Sequence, residues 1–98
     1  MTRRESQPFG PWCLYILECA GGRLYTGITV NLEARYKAHA TGRGAKFTRS
    51  YPPERIVLVK NFPSRSEASK AEYAIKKLPA AGKRKMIAAA PLKQGRTA

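Results

Sequence analysis

The sequence predicts an α+β domain, a small three-stranded antiparallel sheet flanked by helices, in the order strand, strand, helix, strand, helix, helix. Three observations predict it. An apolar run from Trp12 to Leu17 is followed within a few residues by a glycine turn and a second β-rich segment. Helical periodicity with recognisable caps begins after Asn31 and again after Ser64. A β-branched run, Ile56-Val57-Leu58-Val59, lies between those two helical segments.

Trp12–Glu18 reads as a strand covered on both faces, because its apolar residues do not alternate with polar ones. Ala20-Gly21-Gly22 is a turn and Arg23–Ile28 the return strand of a hairpin. A three-residue loop puts Tyr15, Leu17, Tyr25 and Gly27 on one face. A two-residue Gly21-Gly22 turn would put the two tyrosines on opposite faces, and we favour the longer loop. Asn31 supplies an N-cap, Glu33 complements the helix dipole and Gly42 stops the first helix. Leu32, Tyr36 and Ala40 are expected to face the core, with Arg35 and His39 on a neighbouring edge.

Thr41–Glu54 reads as a long loop carrying Arg43, Lys46 and Arg49 together with Phe47 and Tyr51, and its Gly42–Gly44 stretch reads as a flexible hinge. Arg55–Phe62 is the third strand. Ser64 and Glu67 form a capping box for a helix that buries Ala68, Ala71, Ile75 and Leu78 and ends at Pro79. A last short helix is expected from about Lys83 to Ala90. The polar ends, 1–10 and 91–98, read as tails around a single domain over 11–90.

Ninety-eight residues, 43% of them apolar, support one modest core. The 19 Lys and Arg face six Glu and no Asp, giving a net charge of +13 and pointing to a polyanionic partner, above all nucleic acid. Two cysteines with no CxxC pairing, Cys13 and Cys19, suit packing in a reducing cytosol better than a zinc site. No apolar stretch is long enough to span a bilayer, so a cytoplasmic protein is expected.

Glu72 is the one acidic residue bordering the apolar stripe of a predicted helix. It is either a surface partner for Lys76 at i+4 or an inward carboxylate that requires a cation. With no Asp in the chain, a two-metal centre lacks ligands and a single-metal site is the most it can build. Arg35 is a candidate for phosphate neutralisation and His39 for moving a proton, against the plainer reading of both as surface groups. Tyr15 and Tyr25 are core aromatics or, near a metal and cations, phenols able to take a proton from water. Gly27 marks a bulge or the close approach of a ligand backbone. Lys46 and Arg49 are candidate phosphate contacts, with Phe47 or Tyr51 as stacking faces for bases.

Taken together, Leu14-Tyr15-Ile16, Tyr25-Thr26-Gly27, the Asn31–His39 segment, Gly44-Ala45-Lys46-Phe47-Thr48 and the Ala68–Lys76 helix resemble the GIY-YIG nuclease superfamily, most nearly its short stand-alone bacterial branch. Leu14 stands where the first triplet has glycine, and Asn31 and Asn61 are the only asparagines, so the one many relatives carry after the glutamate helix is missing. The resemblance implies phosphodiester hydrolysis with one divalent ion, Mg²⁺ or Mn²⁺, held by Glu72. Tyr25 would activate or orient the attacking water with Tyr15 assisting, and Arg35 would stabilise the scissile phosphate. His39 would help position water or phosphate, and Gly27, Lys37, Arg43, Lys46 and Arg49 would line the nucleic-acid path. A DNA endonuclease, structure-selective or nonspecific and acting in repair or recombination, is the function so implied. A noncatalytic nucleic-acid-binding module on the same fold and a ribosome-associated role are the alternatives.

Overall fold

A computed structural model describes residues 11–89; the expected tails, and Ala90 at the end of the last helix, lie outside the described residues. The sheet consists of β1 (Trp12–Cys19), β2 (Arg23–Thr29) and β3 (Pro53–Phe62), in the spatial order β2-β1-β3 with both pairings antiparallel. The strand least able to face water is therefore the one placed in the middle. The helices are α1 (Leu32–Ala40), α2 (Lys46–Ser50), α3 (Arg65–Lys76) and α4 (Ala80–Ala89).

The hairpin closes through a three-residue 3-10 turn at Ala20–Gly22, with Gly21 and Gly22 at φ 78° and 74°, a region side chains rarely tolerate. Cys19 pairs with Arg23, Leu17 with Tyr25 and Tyr15 with Gly27, which is the longer-loop register. Each face of β1 then has its own cover. Leu14 and Ile16 pack with Leu58 and Ile75, joined by Ala71, Met86 and Ile87 from α3 and α4. On the opposite face Tyr15, Leu17 and Cys19 pack with Tyr25, Leu32, Tyr36, Phe47 and Tyr51. Both cysteines are buried and unpaired.

Asn31 caps α1 by accepting a hydrogen bond from the Ala34 amide at 3.1 Å, and Ser64 caps α3 by accepting from the Glu67 amide at 3.2 Å. Glu18 at the end of β1 meets Arg55 of β3 at 2.5 Å and Arg84 of α4 at 3.6 Å, and Arg84 also donates to the Gly22 carbonyl. These contacts hold the last helix against the hairpin turn.

The structure departs from the sequence reading in three places. The segment expected as a continuous loop over Thr41–Glu54 contains the short helix α2, and β3 begins at Pro53. The last helix starts at Ala80 instead of Lys83, because the Pro79 carbonyl accepts from both the Gly82 and Lys83 amides. On α1, Ala40 is exposed and His39 buried, so the inward stripe is Leu32, Arg35, Tyr36 and His39. That stripe has the i, i+3, i+4, i+7 spacing of a core-facing helix, but two of its four members are polar.

Leu14 is fully buried at the centre of the α3-facing core. Leu14→Ala is expected to lower stability by about 3 kcal/mol, read as a fall in the urea midpoint with an unchanged slope. An unaltered midpoint would contradict the packing described.

Candidate active site

The buried polar cluster on the α1 and α2 side of the sheet is centred on Tyr15. Its phenol is 1% exposed and its oxygen lies 2.9 Å from His39 Nε2. His39 is fully buried, and on its far side Nδ1 lies 2.8 Å from Thr48 Oγ1 and 3.4 Å from the Ala45 amide nitrogen. Thr48 Oγ1 also lies 3.0 Å from the Ala45 carbonyl oxygen, to which it is placed to donate. Tyr25 meets the edge of the His39 ring at 5.0 Å between centroids and is tilted against Tyr15 at 6.4 Å.

Two glycines make this packing feasible. A Cβ on Gly27 would lie 2.5 Å from the Tyr15 oxygen, and one on Gly44 would overlap the His39 imidazole. Gly27 is thus a place where a side chain of the protein itself comes close. Gly44, read from sequence as part of a flexible hinge, presses its backbone against the imidazole.

Electrostatics tie Arg35 and Glu72 to the same phenol. Burial pushes the Tyr15 phenol up to about 12, opposed by Arg35 acting as a donor and as a positive charge, and reinforced by Tyr25 and by the Glu72 carboxylate. Burial, seconded by the Arg35 charge, holds His39 below its ordinary 6.5. Both groups are therefore neutral near pH 7. Glu72 is partly buried at the edge of α3 and also pairs with Lys76 at 3.1 Å. Glu72 thus makes the surface pair with Lys76 at i+4, and its charge also bears on the Tyr15 phenol.

Tyr15, Tyr25 and His39 are in direct contact, and Arg35 and Glu72 act on the Tyr15 oxygen. Lys37, Arg43, Lys46 and Arg49 are exposed on α1, α2 and their connection. Phe47 and Tyr51, expected as stacking faces for bases, are turned inward: Phe47 stacks on Tyr25 at 5.7 Å and is tilted against Tyr51 at 5.2 Å, and Arg23 covers the Tyr51 ring at 4.2 Å. The apolar face of the sheet offers these rings more burial than the loop surface does. The sequence reading includes Thr48 only as the end of the Gly44–Thr48 segment and gives it no role, since a threonine in a basic loop gives no periodic signal; its spacing of nine residues from His39 becomes meaningful only once α2 folds back over α1.

A profile of the GIY-YIG catalytic domain matches residues 11–85. The chain belongs to the GIY-YIG family. Similar proteins include a UPF0213 protein of Cupriavidus pinatubonensis, 51% identical over 74% of this chain and 80% of the relative. Another, from Xanthomonas axonopodis pv. citri, is 46% identical over 83% of this chain and 79% of the relative. The solution NMR structure of a UPF0213 protein from Bacillus halodurans is 43% identical, covers 79% of this chain and 82% of that one, and superposes with a TM-score of 0.52. The GIY-YIG fold accordingly brings the tyrosines of both triplets onto one face, while Leu14, in the place of the first glycine, points into the opposite core.

The depressed His39 has a consequence for stability. The unfolded chain takes up a proton near 6.5 and the folded one only at lower pH, so stability rises with pH through that interval and falls as pH drops below about 6.5. Urea midpoints are expected to be lower at about pH 5.5 than at about pH 7.5, with the difference shrinking in His39→Gln; equal midpoints in the parent protein would refute the buried neutral imidazole. Gly27→Ala is expected to cost about 1–3 kcal/mol by overpacking against Tyr15, measured in the same way. A neutral result there would show that the ring has room to move.

Proposed function

We propose that the protein is a divalent-metal-dependent nuclease that hydrolyses phosphodiester bonds in DNA, working in the cytoplasm in repair or recombination. The observation that carries the reading is the convergence on one buried phenol of an imidazole, a guanidinium and a carboxylate, in a chain with a net charge of +13. A cationic surface alone explains DNA binding. It does not explain why a neutral histidine and a tyrosine are buried together beside an arginine and a glutamate, an arrangement suited to moving a proton next to a bound phosphate.

Tyr25, half-buried and against the His39 ring edge, orients the attacking water. Tyr15, backed by His39, assists in accepting the proton that the water loses. Arg35 neutralises charge as it builds on the scissile phosphate. Lys37, Arg43, Lys46 and Arg49, exposed on the α1–α2 segment, track the flanking phosphates, and their counterion release makes binding weaken with salt.

The donor set suits a hydrated Mg²⁺ or Mn²⁺ held jointly with substrate. Glu72 offers a partly buried carboxylate, and among the described residues no group of three or more His, Cys, Asp or Glu forms a closed cage. Magnesium is commonly bound through one or two carboxylates, with waters and substrate oxygens completing the shell. When bound, it would supply charge stabilisation at the leaving oxygen.

The Glu72–Lys76 pair favours a second reading, because a lysine already satisfying the carboxylate competes with a metal. On that reading the fold binds nucleic acid without cutting it. Incubation with plasmid, flapped and junction DNA separates the two. Cleavage is expected with Mg²⁺ or Mn²⁺, lost on chelation, and reduced at least about a hundredfold in Glu72→Ala and Arg35→Ala. Salt-sensitive binding with no products under any metal would leave the binding module.

A further inference from the structure

We infer that Thr48 is a positioning residue that fixes His39 as its Nδ1–H tautomer, so that Nε2 faces Tyr15 as a bare proton acceptor. The inference rests on the hydrolytic reading above for its purpose, but on contacts within the protein for its content.

Four contacts surround the imidazole and its partners, and only two arrangements of protons are open to them. In the first, Nδ1–H donates to Thr48 Oγ1 at 2.8 Å, the Thr48 hydroxyl donates to the Ala45 carbonyl at 3.0 Å, and the Tyr15 hydroxyl donates to Nε2 at 2.9 Å. The contact left unused is the longest, from the Ala45 amide to Nδ1 at 3.4 Å. In the second, Nε2–H donates to Tyr15, and Nδ1 accepts from the Ala45 amide and from Thr48. The single Thr48 proton then cannot also reach the Ala45 carbonyl, and the Tyr15 hydroxyl keeps a proton with no acceptor assigned.

Burial decides between them. Tyr15 is 1% exposed, whereas Ala45 is only half-buried, at the start of α2. Stranding a donor costs more in the drier place. The first arrangement also runs in one direction, Tyr15 to His39 to Thr48 to a backbone carbonyl, so each bond polarises the next. Gly44 lies against the same nitrogen, where a Cβ would overlap the ring.

The arrangement has a use in hydrolysis. As water attacks phosphorus, Tyr15 takes the proton the water loses and passes its own to Nε2. The imidazolium so formed has an acceptor at each nitrogen, the Tyr15 oxygen at Nε2 and Thr48 Oγ1 at Nδ1, and its proton returns through Tyr15 to the leaving alkoxide. With the other tautomer Nε2 already carries a proton, and Tyr15 has nowhere to send its own.

The chain has a single histidine, so long-range ¹H–¹⁵N correlation on labelled protein reports this one ring, without metal or DNA. At about pH 7.5 the expected spectrum shows Nδ1 protonated and Nε2 bare; Thr48→Ser keeps that pattern and Thr48→Val loses it. Cleavage by Thr48→Val should fall about a hundredfold in kcat with KM little changed, and Thr48→Ser should restore most of it. A parent spectrum with Nε2 protonated overturns the inference, whether or not the valine variant folds. So does a folded Thr48→Val protein that retains the Nδ1–H pattern. Should the predicted tautomer appear in a protein that cuts no DNA, the positioning role survives and the hydrolytic reading fails.

Discussion

The hydrogen bond between Tyr15 and His39 is the constraint around which one whole side of this domain is organised. A fully buried imidazole must have its ring nitrogens satisfied, and the penalty for stranding one is about 1–3 kcal/mol. To meet that demand α1 turns a polar edge inward, α2 folds back to supply Thr48, and the segment between them brings Gly44 against the ring. The aromatic layer of Tyr25, Phe47 and Tyr51 then seals the space beside it. These features make little sense as independent packing choices, but each follows once the imidazole is committed to the interior.

Charge is distributed differently from burial. The cationic side chains of the α1–α2 segment remain at the surface, where they attract phosphate without being desolvated. Arg35 is the exception, half-buried and acting on the Tyr15 oxygen. Glu72 opposes it from α3, on an element whose other inward residues, Ala68, Ala71 and Ile75, serve the core. Two opposite charges therefore bear on a phenol that burial keeps protonated, which gives a bound phosphate or cation leverage over it.

Much of this was legible in the residue pattern. The glycine turn identified the hairpin, with the longer-loop register favoured over the shorter, and the Asn31 and Ser64 caps identified the starts of α1 and α3. Tyr15, Tyr25, Arg35, His39 and Glu72 were all singled out before any geometry was considered. What failed was the inference from apolarity to burial. Ala40 is apolar and His39 is not, so Ala40 was assigned inward, whereas the imidazole gains hydrogen bonds there that repay its desolvation. Helix α2 was hidden for a related reason: its five residues, Lys46–Ser50, are too few to show a period, and its N-cap, Ala45, makes no side-chain capping bond. The role of Thr48 could not be read at all, because its partner is set by how two short helices meet and not by any local rule.

The odd-length turn at Ala20–Gly22 gives the central strand a parity, and parity makes neighbouring letters of the text independent. Residues 14 and 16 answer only to the hydrophobic interior beneath α3, and residues 15 and 17 only to the aromatic side. Drift in one set therefore need not disturb the other. Leu14, standing where the first family triplet carries glycine, is such drift already accommodated, with the adjoining tyrosine still in place. The same logic makes the strand fragile to a change in length: adding or deleting one residue between the turn and Tyr15 would exchange the two alphabets at a stroke.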